Sequence, residues 1–276
     1  MWRFKKSIIV GDPLQVEPVV TIPKEISKAF AEKYQIPTIY RKSEISVQNL
    51  ADNLNKYGGY RNNLWVGCPL IVHRRCINPM FEISNQIVYN GRMINETKQP
   101  EADKKFVLEH SQWINIKGKE IGDKNHFVKE QGEKVCEIIN KSIEVYGGLP
   151  KIYIISPFKS VIKEIKPMLA KNLNLILPRQ KQKIDDWIEE SVGTVHTFQG
   201  KEAYEVLFVL GCDNTAISAA NWAGKNVNLL NVAITRAKYR IAMIGDEDIW
   251  NGVNFFSDAI MILGDFRDTN QIHWLY

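Results

Sequence analysis

Lys151-Ile-Tyr-Ile-Ile-Ser156, followed after Pro157-Phe158 by the run Val161–Asn172, decides the fold class. Six residues rich in β-branched and aromatic side chains predict a short buried strand, and the amphipathic run behind it predicts a helix. The same alternation extends in both directions. Upstream, Trp113–Ile116 reads as a strand and Val128–Tyr146 as a helix. Downstream, Val192–His196 and Glu205–Gly211 read as strands, Asn228–Ala237 as a helix, Tyr239–Gly245 as a strand and Asn254–Leu263 as a last helix. Short apolar strands separated by helices predict an α/β domain, a parallel sheet with helices on both faces and its working loops at the carboxyl ends of the strands.

Nearer the start, Ser7-Ile-Ile-Val10 before Gly11-Asp-Pro predicts a further buried strand ending in a tight turn. Only six residues precede it, so the natural chain is expected to continue upstream of Met1. Thr21–Tyr60 is mostly polar and closes on Tyr57-Gly-Gly-Tyr60, a predicted loop, which makes this stretch a connection between domains.

Composition narrows the class without choosing a function. In 276 residues, 36 Lys+Arg against 31 Asp+Glu leave an excess of 36 − 31 = 5 positive charges, which permits a polyanionic partner but does not require one. The longest apolar runs, Val206–Gly211 and Ile241–Gly245, are of strand length, and the first ten residues are too weakly apolar for a secretory signal. Cys68, Cys76, Cys136 and Cys212 form no Cys-x-x-Cys pair and no histidine stands near them at zinc spacing. They read as reduced thiols of a cytoplasmic protein, with no metal site and no membrane partner.

Four segments carry more. Gly11-Asp-Pro-Leu-Gln15 is ordinary turn chemistry by itself. Val72-His-Arg-Arg75 places a guanidinium at a strand end, where its planar fork and permanent charge suit phosphate oxygens better than a lysine would. In Val192-Gly-Thr-Val-His-Thr-Phe-Gln-Gly-Lys-Glu202, Gly200 lets the backbone approach a ligand, while Gln199 and Glu202 can bond nucleotide groups. Thr194 and His196 either meet a backbone phosphate or are satisfied polar groups at a strand end. Asn228-Leu-Leu-Asn-Val-Ala-Ile-Thr-Arg236-Ala-Lys is the fourth.

In this order the segments resemble motifs III, IV, V and VI of superfamily 1 helicases of the Upf1/Dna2 type. The match over 192–202 holds at every fixed position of motif V, and Asn231–Lys238 is similar to motif VI. The resemblance implies a RecA-like fold. It makes residues 1–20 the tail of a first RecA-like domain, 21–63 the connection and 64–276 a second RecA-like domain. By resemblance, Gln15 approaches the terminal phosphate of ATP, and Arg75 and Arg236 act in catalysis, Arg236 as an arginine finger. Gln199, Gly200 and Glu202 then face the nucleotide. Many relatives carry an aromatic residue before the motif IV arginine that stacks on adenine, whereas Arg74 stands here and has only its flat guanidinium to offer.

Ser156-Pro157-Phe158 is similar to a Ser/Thr-Pro-Tyr/Phe element that touches the nucleic-acid strand in relatives, and Phe158 either stacks on a base or plugs the core. The Gly-Lys pairs at Gly118, Gly200 and Gly224 are followed by Glu, Glu and Asn, so none is a phosphate loop. Asp246-Glu247 imitates a magnesium-binding acidic pair but follows motif VI instead of preceding motif III, which gives Asp246 a structural role. The resemblance therefore implies the C-terminal motor half of a helicase, moving 5′ to 3′ on single-stranded DNA or RNA. ATP and Mg²⁺ would be shared with an N-terminal RecA-like domain, and the fragment alone would be inactive. A rival keeps the fold as a non-catalytic module that binds nucleic acid or a partner.

Overall fold

A computed structural model describes residues 5–12, 21–41, 45–61, 64–122 and 124–272. The chain divides into two compact units, Met1–Ile71 and Val72–Tyr276.

In the first unit, helix α1 spans Lys24–Lys33 and α2 spans Val47–Leu54, and strands β1 (Gly59–Arg61) and β2 (Leu64–Val66) pair antiparallel. Ser46 starts α2 with a reciprocal cap. Its Oγ accepts from the Asn49 amide at 3.1 Å, and Asn49 Oδ1 accepts from the Ser46 amide at 2.9 Å. Two expectations fail in this unit. Residues 57–60 are not wholly a loop, because Gly59 and Tyr60 open β1. Ser7–Val10 forms no strand, and Ile8 and Val10 are 94% and 77% exposed. A strand needs a neighbour for its backbone groups, and no pairing to these residues is present among those described. Gln15 lies outside the described residues.

The second unit opens with β3 (Val72–His73), α3 (Met80–Tyr89) and β4 (Ile94–Asn95), the two short strands pairing parallel. There follow β5 (Gln112–Asn115), α4 (Lys129–Tyr146), β6 (Ile152–Ser156), α5 (Lys159–Ile176), α6 (Lys181–Ser191), β7 (Val192–Thr194) and β8 (Ala203–Gly211). The chain goes on through α7 (Ile217–Ala223), α8 (Val227–Ile234), β9 (Ala237–Gly245), α9 (Glu247–Trp250) and α10 (Phe256–Ile272). The five main strands form one parallel sheet in the order β5-β9-β8-β6-β7. Helices α4, α5 and α6 pack in succession against β6, β7 and β8, while α3, α8 and α10 pack against β9 and β5. This is the α/β, RecA-like architecture expected.

The central strands are apolar throughout because both faces are covered. Val206 to Leu210 and Ile241 to Ile244 have no exposed surface. At about 1.5–3 kcal/mol for each large apolar side chain, they are the main source of the fold's stability. The predicted strand over 192–196 stops at Thr194, where Val195–Phe198 turns as a 3-10 helix. Ala237 begins β9 instead of ending a helix. Helix α6 escapes notice in the sequence because only Ile184, Trp187 and Ile188 are apolar in eleven residues, yet that spacing makes one stripe, with Ile184 and Ile188 buried. Asp246 caps α9, its carboxylate accepting from the Asp248 amide at 3.1 Å.

Candidate functional site

The residues singled out above gather at both ends of the sheet, not only at its carboxyl edge. Arg236 immediately precedes β9 and Glu202 immediately precedes β8, so chain direction puts both at the amino edge. The Ile77 amide donates to the carbonyl of Lys238 at 3.1 Å, which ties the segment after Arg75 to the same edge. Cys76 lies within the electrostatic reach of Arg75, Arg236 and Glu202 together. Ser84 on α3 donates to Asn231 on α8 at 2.7 Å in the interior and holds the two motif-bearing helices in fixed register.

Arg236 itself is fully buried. Its Nε donates to the Val232 carbonyl at 2.9 Å, Nη1 to the carbonyls of Phe198 and Lys201 at 3.2 and 2.9 Å, and Nη2 to Thr235 Oγ1 at 3.2 Å. Burial and the neighbouring Arg75 charge pull its pKa down to about 10, so it stays charged at neutral pH. In this conformation the guanidinium staples the motif V loop to the start of β9. Arg75 is half-buried, and Arg74, Gln199, Gly200 and Glu202 are exposed. Gly200 has φ +82°, a region other side chains rarely adopt, although a β-carbon there would meet nothing within 4 Å. Its requirement is therefore conformational. A cavity of about 630 Å³ beside it includes Lys151, Lys201, Glu202, Lys238, Tyr153 and Trp187 in its lining, within the usual size range of small-molecule sites.

His73 shows how the Arg75 turn is held. The Cys76 amide donates to its Nε2 at 3.0 Å, which leaves the ring proton on Nδ1. Burial first, then the Arg75 charge, lower the His73 pKa to about 4. Burial pushes the Cys76 thiol up to about 12, so it is no nucleophile at neutral pH.

At the carboxyl edge, Ser156 and Thr194 are register partners on β6 and β7. The expected strand-contact element lies beside Thr194 and faces inward in this conformation. Ser156, Pro157 and Phe158 are all buried. The Ser156 hydroxyl accepts from the Phe158 amide at 3.2 Å, and the Phe158 ring packs between His126 and Trp222, with centroids 4.8 and 5.9 Å away. These rings cover the element, so of the two readings of Phe158 the packed one describes this conformation. Thr194 is partly open and bonds to Thr197 Oγ1 at 3.2 Å, while His196 is exposed. Trp222, 55% exposed on α7, presents the aromatic surface that Phe158 does not. Its segment bears no motif, and only its fold neighbours reveal it.

A profile of the AAA domain family matches residues 63–248. An uncharacterized ATP-dependent helicase of Methanocaldococcus jannaschii is 23% identical over 94% of this chain. The DNA replication ATP-dependent helicase/nuclease DNA2 of Gallus gallus is 26% identical over 86% of it. The chain spans 38% and 22% of the lengths of these two relatives. No helix among the described residues is long and apolar enough to cross a membrane. With the RecA-like sheet and the match across motifs IV to VI, the chain belongs to the AAA domain family that occurs in Upf1/Dna2-type superfamily 1 helicases, and is an ATP-dependent helicase-type domain of that kind.

Proposed function

We propose that the chain is the C-terminal motor half of an ATP-driven helicase, whose amino sheet edge faces the nucleotide and whose carboxyl edge faces a single nucleic-acid strand. The observation that carries this is the convergence of Arg75 and Glu202, distant in sequence, on Arg236, whose charge feels both. Two guanidinium groups near one carboxylate leave net positive charge, the chemistry that phosphoryl transfer requires of a partner domain. Arg75 meets phosphate oxygens, Glu202 and Gln199 bond the ribose or phosphates, and Arg74 completes this unit's share of the nucleotide's surroundings. Mg²⁺ would arrive with ATP, neutralising phosphate charge, on ligands supplied mainly by an N-terminal RecA-like domain. Closure of that cleft would draw a strand held at Thr194, His196 and Trp222 in the 5′-to-3′ direction. By this reading the chain alone turns over no ATP.

For Arg236 to act as a finger, it must exchange its internal hydrogen bonds for phosphate oxygens when the cleft closes. Its complete burial favours a second reading, in which it positions the 198–202 loop and Arg75 alone reaches the phosphates. Arg236→Ala in the intact helicase separates them. A finger predicts a fall of about 10³–10⁵ in kcat with nearly unchanged ATP affinity. A positioning residue predicts weakened ATP affinity as the loop loses its anchor. Arg236→Lys should rescue neither, since a point charge cannot bond three carbonyls in one plane. Normal kcat and normal affinity in Arg236→Ala would remove both roles.

A further inference from the structure

We propose that Glu120, His126 and Cys212 form a site for a thiophilic divalent cation, with Zn²⁺ the best-fitting class, clipping the 120–128 loop to the carboxyl end of β8. A carboxylate oxygen, a ring nitrogen and the thiol sulfur of these residues all lie within 4.8 Å of one another. The closest pair, Glu120 Oε1 and His126 Nδ1, is 3.1 Å apart. Bonds of about 2.0–2.3 Å at tetrahedral angles put neighbouring ligand atoms roughly 3.2–3.8 Å apart. Two ligands therefore already stand near bound spacing, and the thiol has at most about 1 Å to close, a movement within side-chain rotation. Three protein ligands leave a fourth position for water.

The frame around these atoms is fixed by the backbone. The Cys212 amide donates to the His126 carbonyl at 2.9 Å, the His126 amide to Glu120 Oε2 at 2.9 Å, and Glu120 bridges Val128 across the loop. Gly211 has φ +62°, and a β-carbon there would come within 2.1 Å of the His126 carbonyl oxygen, so only glycine lets the loop approach β8 this closely. The Glu120 side chain is 5% exposed and that of His126 22%, which gives a cation entry along the imidazole.

Electrostatics agree with the geometry. Asp213, whose carboxylate accepts from the Glu120 amide at 2.9 Å, adds a second acid beside the thiol. Burial, with Glu120 and Asp213, raises the Cys212 pKa, so the metal-free site keeps its thiol proton. Coordination breaks the S–H bond and sends that proton to solvent, and it replaces the Nδ1–H bond to Glu120, the imidazole proton moving to Nε2, as metal–sulfur and metal–nitrogen bonds form. Affinity should therefore rise with pH. The clip would sit against Phe158, whose ring touches His126.

Titration of the chelator-stripped chain with Co²⁺ tests the site. The expected result is a single equivalent bound with a thiolate-to-cobalt absorption in the near ultraviolet, and displacement by Zn²⁺. Cys212→Ser should abolish the band, and Cys68→Ser should keep it. Since Cys212 is buried, Glu120→Gln provides a milder variant that retains an acceptor oxygen. It should weaken binding by more than the roughly 10- to 100-fold that loss of an outer-shell partner costs. A folded wild-type chain without the band, or an unchanged band in Cys212→Ser, would overturn the site and leave Glu120 and His126 as an ion pair only.

Discussion

At the amino edge of the sheet a charged group, Arg236, is taken wholly inside and satisfied by carbonyl and hydroxyl oxygens from the loops around it. At the carboxyl edge, β6 and the turn after it bury a serine, a proline and an aromatic ring, while Thr194 at the end of β7 is partly open and His196 beyond it is exposed. Both edges belong to one parallel sheet, so the contrast comes from what the loops bring. The amino edge has two rigid anchors, Arg236 and Glu205. Glu205 is buried and accepts from the amides of Val107 and Leu108 at 3.0 and 2.8 Å and from the Tyr146 hydroxyl at 2.8 Å. Around Phe158 the carboxyl edge has tilted rings in contact, His126 on one side and Trp222 on the other. On the function proposed above, a charge buried at such cost suits exact loop position at a nucleotide edge, and an apolar ring surface suits contact with a moving strand.

The largest stability effect expected from breaking this contrast is at Glu205. Glu205→Ala would strand the Val107 and Leu108 amides in the interior and cost about 3–5 kcal/mol, read as a lower urea midpoint. A loss below 1 kcal/mol would mean that the amino edge is not anchored as described.

Next in size is the pair Phe158 and Trp222, whose rings touch but whose exposures differ. Phe158→Ala should cost about 3–5 kcal/mol of stability by opening a core cavity. Trp222→Ala should cost less than about 1 kcal/mol. Equal losses on unfolding would erase the distinction between a packed ring and a displayed one.

Much of this was legible in the sequence. Alternating strands and helices gave the layers, and the motif order brought Arg75, Glu202 and Arg236 to notice. What was not legible was which side chains face inward. The acceptors for Arg236 are backbone oxygens of Val232, Phe198 and Lys201, and a carbonyl carries no sequence signature. Phe158 is covered by His126 and Trp222, and His126 meets Cys212 only through tertiary folding. His73 and Cys76, whose Nε2 and Sγ stand 3.1 Å apart, were passed over in the sequence, and no spacing there brings His126 to Cys212, as the fold does. The expected strand at Ser7–Val10 shows the reverse error, in which an apolar run read as buried is exposed.

The smallest effect concerns His73, beside Arg75. Its folded pKa of about 4 lies below the ordinary histidine value of 6.5, so neutral His73 favours the folded state above the unfolded value. That contribution should fade as pH falls from about 6.5 toward 4. A His73→Gln variant, free of this titration, should show a flatter loss of stability across the window. Identical pH profiles would indicate that burial beside Arg75 does not hold His73 neutral.

The division of labour between the edges is tested most directly by crossing two variants of the intact helicase with two readouts, ATP turnover and single-strand affinity. Arg75→Ala should lower kcat by about 10³ or more and leave strand affinity in the absence of nucleotide within a few-fold of wild type. Trp222→Ala should weaken strand binding by about 1–3 kcal/mol, roughly 5- to 150-fold, and leave ATP turnover at saturating strand nearly unchanged. Loss of both readouts in either variant, with the fold intact by circular dichroism, would contradict a nucleotide edge and a strand edge on one sheet.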